Sequence, residues 1–181
     1  QKLQNAQSVL PVGIIYMAEI LFTPRITMRL GEVIMQRSLD LHPDFIMTVE
    51  TKGISLALAV ARAFNIPMVM ARKEARITEG PAVSISYLSG STKKIQSMSL
   101  PKKALPAGAK VLIVDDFMRA GGTARGMEEL AHEVGAIVVG SYFLIATKEP
   151  IKKTVKEYSS LLVLESVDGE KKISRINPEI I

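Results

Sequence analysis

The stretch Val111-Leu112-Ile113-Val114-Asp115-Asp116-Phe117-Met118-Arg119-Ala120-Gly121-Gly122-Thr123-Ala124 decides how the chain folds. Its apolar opening, Val111 to Val114, suits a strand buried on both faces of a parallel sheet. Gly121-Gly122-Thr123 then opens a helix, where free N–H groups at the positive end of the dipole favour an anion, most simply a phosphate. Between strand and helix, Asp115 and Asp116 fall in a loop where carboxylates can accept hydrogen bonds from sugar hydroxyls. Adjacent carboxylates ending a buried strand repel each other, which argues for a ligand rather than a generic surface loop. A phosphate and a vicinal diol together describe a ribose 5-phosphate.

Outward from this stretch, strands and helices alternate. Upstream, Val12 to Met17 reads as a strand, and Pro24 to Leu39 as an amphipathic helix with apolar Ile26, Leu30, Val33, Ile34 and Leu39. Phe45 to Val49 reads as a buried strand, Glu50-Thr51-Lys52-Gly53 as a loop and Ile54 to Phe64 as an apolar helix. Met68 to Ala71 is a further strand ending in Arg72-Lys73. Downstream, Ala124 to Val134 is a helix stopped by Gly135, Ile137 to Ala146 a strand, and Ile151 to Tyr158 a short basic helix. Leu161 to Val167 and an edge strand from Lys172 to Ile176 complete the pattern, while Gln1 to Gln7 reads as a helix tail or linker. Such alternation predicts an α/β fold: a mostly parallel sheet, helices on both faces, and ligand sites at the carboxyl ends of strands.

Residues 74 to 109 interrupt this rhythm. Ala82 to Leu88 and Lys94 to Leu100 read as a β-hairpin joined by Ser89-Gly90-Ser91-Thr92, a hood or flap whose Ser, Lys and Tyr suit a cover over a polar ligand. A decorative surface hairpin fits its composition equally well.

With 181 residues, the length fits one domain. The absence of cysteine excludes a disulfide framework and thiolate metal sites, and two scattered histidines make no zinc site. No apolar run approaches the roughly 20 residues of a membrane span; no charged-then-apolar leader is expected before the domain, and the expected compartment is the cytoplasm. An opening on Gln1 rather than methionine reads as a fragment or processed chain. The net charge is +5 and the pI about 9.5, which favours anionic partners such as phosphates. Direct DNA contact through Lys93, Lys94, Lys102 and Lys103 is a weaker alternative, because the basic residues are spread and few aromatics lie among them.

In a parallel sheet four groups converge: Asp115-Asp116 with the turn; Thr51-Lys52-Gly53 at a helix N-terminus, able to hold a second phosphate; Arg72-Lys73 at another strand end; and Ser86-Tyr87 on the hood. Alone, the last three are weak signals, more often a plain helix start, a solvated basic pair and a hairpin pair.

The residues Val111 to Thr123 resemble the fingerprint of the type I phosphoribosyltransferase fold. In that fold the turn, here Arg119, Ala120, Gly121, Gly122 and Thr123, holds the 5-phosphate of phosphoribosyl pyrophosphate (PRPP). The acidic pair, Asp115 and Asp116, contacts its ribose, and the loop at Thr51, Lys52 and Gly53 with Arg72 and Lys73 holds its pyrophosphate. The family's mobile hood matches residues 74 to 109, which sets Phe117, Met118, Arg119, Ser86 and Tyr87 on the base side.

A resemblance covering almost the whole chain is carried by Thr48 to Ile54, Thr78-Glu79-Gly80, Val83 to Tyr87 with Ser89-Gly90-Ser91, Ile95 to Leu100 and Asp115 to Thr123. These look like the effector domain of the bacterial purine operon repressors. The resemblance implies one effector domain over residues 1 to 181, a homodimer without transferase activity, and PRPP as inducer. It also implies operator DNA held by an N-terminal winged-helix domain that this chain lacks. Guanosine tetraphosphate is expected to compete with PRPP, because Arg119 can donate to a guanine carbonyl while both phosphate loops are engaged. No tightly bound cofactor or resident metal is expected, with Mg²⁺ accompanying PRPP.

Hypoxanthine-guanine transferases carry a proton-accepting aspartate at the position of Arg119, and a guanidinium accepts no proton at neutral pH. Adenine and xanthine transferases place other residues there, so a purine salvage enzyme of those types is the alternative.

Overall fold

The computed structural model describes residues 9–10, 14–15, 18–73, 80–89, 94–164 and 176–178. The order of elements is β1 (Val9–Leu10), β2 (Ile14–Ile15), α1 (Ala18–Leu21), α2 (Pro24–Arg37), β3 (Phe45–Val49), α3 (Ile54–Phe64) and β4 (Met68–Ala71). There follow β5 (Ala82–Leu88), β6 (Ile95–Pro101), β7 (Lys110–Met118), α4 (Gly122–Glu133), β8 (Ile137–Thr147), β9 (Ser159–Leu164) and β10 (Ile176–Pro178).

Six strands form the central sheet in the order β10-β9-β8-β7-β3-β4. The five from β9 to β4 are parallel, and β10 pairs antiparallel with β9. The sheet is covered on both faces, so its strands read as continuous apolar runs, and Val111, Leu112, Ile113 and Val114 are all fully buried. Alternation along the strands divides the core. Ile46, Leu112, Val114 and Leu144 pack with Ile34 of α2 and Leu56 and Val60 of α3. Met47, Val49, Val111 and Ile113 pack with Met127 and Leu130 of α4 and with Tyr87, Met98 and Leu100 of the hood.

The chain runs from β3 to the edge strand β4, then returns past β3 to β7 on its other side. The direction of winding therefore reverses between β3 and β7, where an open α/β sheet leaves a crevice at its carboxyl edge. The segments after those two strands are Thr51–Gly53 and the turn before α4.

Several boundaries differ from expectation, each for a local reason. The strand expected at Val12 to Met17 is described only at Ile14–Ile15, which pairs antiparallel with Val9–Leu10 in a separate two-stranded unit. Helix α2 stops at Arg37 because Ser38 leaves helical geometry at φ −125° and donates its hydroxyl to Ile34 O, while Leu39–Leu41 tightens into a 3₁₀ turn. Strand β7 continues through Met118, so Asp115 and Asp116 belong to the strand rather than to a loop; Asp115 lies opposite Phe143, and Phe117 opposite Ile145.

The basic helix expected over Ile151 to Tyr158 is absent: that segment is an irregular strap. The N–H of Thr154 donates to Ala120 O at 2.9 Å instead of to a carbonyl four residues back, and Val155 is buried beside Met118, Ala124 and Phe143. Long-range anchoring thus overrides local helix preference. At the C-terminus, β10 begins at Ile176, where the predicted edge strand ends, and residues 172–175 lie outside the described residues. So do Gln1 to Gln7, residues 74–79 and 90–93 of the hood, and Asp168-Gly169. No helix among the described residues is long and apolar enough to cross a membrane.

Close approach of α2 to α3 depends on Gly31. A Cβ there would stand 2.6 Å from Ala59 C and 2.7 Å from Ala59 O, both backbone atoms. Gly31→Ala should therefore destabilise the fold by about 1–3 kcal/mol through overpacking, although alanine favours a helix by up to about 1 kcal/mol. Thermal melting checks this: a raised Tm would show that the helices can part without cost.

Candidate functional site

Three adjacent parallel strands bring the predicted groups to one edge. Glu50 follows β3, and its N–H donates to Ala71 O at 3.0 Å, fixing the end of β3 against the end of β4. The Glu50 carboxylate then organises the neighbouring loop: Oε1 accepts from Lys73 N at 2.7 Å, and Oε2 lies 3.8 Å from the Arg72 guanidinium. Read from sequence, Glu50 was only the start of a loop; its role depends on β4 lying beside β3. The Glu50–Thr51 peptide is cis.

Beyond it, Thr51 and Lys52 are exposed and Gly53 is buried at the N-terminus of α3. A Cβ on Gly53 would fall 2.3 Å from Asp115 Oδ1 and 2.6 Å from Thr48 Oγ1. Only glycine lets the loop after β3 lie against the acidic pair on β7.

Asp115 and Asp116 are 7% and 8% exposed, so each loses most of its hydration. Burial first, and then repulsion from Asp116, raises the Asp115 carboxyl well above the usual carboxylate range. Asp116 is raised less; burial is again the main cause, opposed by a hydrogen bond from Asp115 and by the Lys52 ammonium. The Lys73 ammonium acts on Asp115 in the same sense. Asp115 Oδ1 accepts from Asp116 N at 2.9 Å. The charges of Lys52 and Lys73 thus both act on the acidic pair.

The turn after β7 is tight. Gly121, the N-cap of α4, has φ +87°, a left-handed conformation suited to glycine. Its carbonyl accepts from Arg125 N at 2.8 Å, which commits the chain to the helix at Gly122. Lys153 reaches the turn from the strap, with its ammonium donating to Arg119 O and to Thr147 O and Oγ1. Partial burial lowers its pKa, Glu149 opposes this, and Arg119 adds to it. Sequence reading missed Lys153, because nothing in a basic segment expected to be helical signals a contact 34 residues away.

On the hood side of the turn lies a cavity of about 790 Å³, with Ser86, Tyr87, Arg119, Arg125, Glu149 and Thr154 among its walls. The predicted base-side residues divide here. Arg119, Ser86 and Tyr87 reach the cavity wall, although most of Tyr87 is buried beside Gly126 of α4 and its hydroxyl donates to Gln96 Oε1 at 3.0 Å. Met118 does not: it is 2% exposed and packs with Phe143, Ala146 and Val155. Because the strand continues through Met118, side chains alternate, and neighbouring Phe117 and Met118 cannot both face a ligand. Phe117 is partly buried against the core on the α2 and α3 face. Lys94, Lys102 and Lys103 are exposed, and Lys93 lies outside the described residues.

The hood is tied to the sheet by an antiparallel bridge, Arg72 N to Ser99 O at 2.9 Å and Ser99 N to Arg72 O at 2.7 Å. Ser97 Oγ donates to Lys73 O at 3.1 Å. The hood and the end of β4 are therefore joined through the backbone.

The chain is similar to several known proteins. The purine biosynthesis transcriptional repressor PurR of Bacillus subtilis is 42% identical over 172 residues, covering 95% of this chain and 60% of that protein. The purine biosynthesis transcriptional activator PurR of Lactococcus lactis is 34% identical over 166 residues, 92% of this chain and 61% of that protein. The chain thus spans about 60% of the length of these regulators. A xanthine phosphoribosyltransferase of Deinococcus deserti is 30% identical over 137 residues, 74% of this chain and 71% of the enzyme.

Among solved structures, adenine phosphoribosyltransferase of Thermoanaerobacter pseudethanolicus superposes with a TM-score of 0.77 at 22% identity, covering 90% of this chain and 98% of that one. The family described as Phosphoribosyl transferase domain matches residues 17–173. With the type I phosphoribosyltransferase fold, its parallel sheet and its antiparallel hood all in place, the chain belongs to the phosphoribosyl transferase domain family.

Proposed function

We propose that this chain is the effector-binding domain of a transcriptional repressor of purine biosynthesis genes, and that it senses PRPP as inducer. The observation that carries the reading is the meeting of a phosphate turn, a buried acidic pair and two ammonium groups at the ends of β3, β4 and β7. Their order matches that of PRPP. Arg119, Ala120, Gly121, Gly122 and Thr123 take the 5-phosphate, Asp115 and Asp116 the ribose hydroxyls, and Thr51, Lys52, Gly53, Arg72 and Lys73 the pyrophosphate. Similarity to the PurR regulators over more than nine-tenths of the chain supports the regulatory half of the proposal.

In this reading Mg²⁺ accompanies the pyrophosphate of PRPP into the site. The proposed assembly is a cytoplasmic homodimer whose operator DNA is held by a winged-helix domain outside this chain. Occupancy changes repression only if PRPP binds one arrangement of the dimer better than another. Guanosine tetraphosphate competes for the same phosphate loops, with the guanidinium of Arg119, in the cavity wall, donating to the guanine carbonyl oxygen.

The second reading is an adenine- or xanthine-type phosphoribosyltransferase, favoured by the 30% identity to a xanthine transferase over most of its length. It would use the same site to pass the phosphoribosyl group to a purine base with release of pyrophosphate.

Incubation with PRPP, Mg²⁺ and each common purine should yield no nucleotide at enzymatic rates, and product from any base would establish the transferase. In calorimetry, PRPP should bind at one site per chain and guanosine tetraphosphate should displace it; independent, simultaneous binding of both would exclude a shared site.

Asp115→Asn should abolish PRPP binding yet stabilise the fold. The raised carboxyl favours folding fully below the unfolded value of about 3.9 and loses that contribution as pH rises through its raised folded value. An amide escapes this loss, so the variant's Tm should exceed that of the wild type by a few degrees at pH 7, and the difference should shrink towards pH 4. A Tm below wild type at pH 7 would show that the pair contributes to stability instead.

A further inference from the structure

The strap between β8 and β9 holds two successive carbonyls of the phosphate turn. Lys153 Nζ donates to Arg119 O. Thr154 donates twice to Ala120 O, from its N–H at 2.9 Å and from Oγ1 at 3.1 Å. In a trans peptide the C=O and the following N–H point in opposite directions. Drawing Arg119 O towards the strap therefore turns the N–H of Ala120 away from it, and drawing Ala120 O does the same for the N–H of Gly121. Among the described residues, no backbone carbonyl accepts from either N–H. The strap is itself anchored by Val155, 3% exposed in the cluster with Met118 and Phe143.

We infer that Lys153 and Thr154 are positioning residues of the phosphate subsite: they orient the Ala120 and Gly121 N–H groups to receive an anion, without touching it themselves. This rests on the reading of the turn as the 5-phosphate site of PRPP. Two adjacent N–H groups aimed in advance spare an anion the cost of ordering them. A lysine that merely fastened a loop would affect the melting temperature; one that aims the turn affects how the phosphate is held.

The test compares wild type with Lys153→Met, Thr154→Val and Thr154→Ser. Calorimetry with PRPP is combined with melting curves and with the amide resonances of Ala120 and Gly121 during the titration. PRPP should shift both amides strongly in the wild type. Lys153→Met should bind PRPP about tenfold more weakly, as for a lost hydrogen bond to a charged group, with smaller amide shifts. Thr154→Val should lose a few-fold, and Thr154→Ser should match the wild type.

PRPP affinity and amide shifts unchanged in Lys153→Met and Thr154→Val would overturn the inference, as would wild-type binding that leaves the two amides unmoved. Should Lys153→Met fail to fold, the contrast between Thr154→Val and Thr154→Ser decides. A wild-type chain that binds no PRPP removes the functional reading and this inference together, whereas binding with indifferent variants removes the inference alone.

Discussion

The parallel pairing of β3 with β7, Phe45 opposite Val111 and Met47 opposite Ile113, is the constraint on which the site depends. It lays two strand ends side by side although the residues involved are more than sixty positions apart in the chain. One end carries a loop that opens α3, and the other carries the acidic pair and the turn that opens α4. At Gly53 the two come so close that a single Cβ would overlap the Asp115 carboxylate. The apolar content of β3 and β7 serves this placement as much as it serves stability, because a one-residue slip in either strand would turn its whole pattern over.

The acidic pair shows what the placement costs. Two neighbouring carboxyl groups, each nine-tenths hidden from water, repel and lose hydration, and both are raised above the usual carboxylate range. In the proposed function a ligand diol that hydrogen-bonds to both would replace the lost water, so the pair would be better matched to an occupied site than to an empty one. The same region was the most legible part of the sequence. Val111 to Val114 is apolar without alternation because both sheet faces are covered, and the glycines mark a turn that other residues adopt poorly.

What could not be read was fixed by contacts distant in sequence. Strand β7 runs through Met118 because β8 supplies partners as far as Ala146, and this extension decides that Met118 faces the core. The segment from Ile151 to Tyr158 has a composition compatible with a helix, yet Thr154 and Lys153 bind the phosphate turn and Val155 fills a core position. Glu50 was legible as a loop residue, but its hold on Lys73 and Arg72 depends on which strand neighbours β3.

The bridge between Arg72 and Ser99 makes the hood a lever whose fulcrum is the end of β4. Its arm, the β5–β6 hairpin, extends from that fulcrum to the exposed pair Leu88 and Ile95 and leans on α4 through Tyr87. Force applied near the tip has two places to go: through β6 into the backbone of Arg72 and Lys73, or through Tyr87 into the first turns of α4. Both routes end on groups that the proposed function gives to phosphates. The hood, the end of β4 and the start of α4 are therefore parts of one mechanical unit, and a change in the length of the hairpin would be registered at both of its supports.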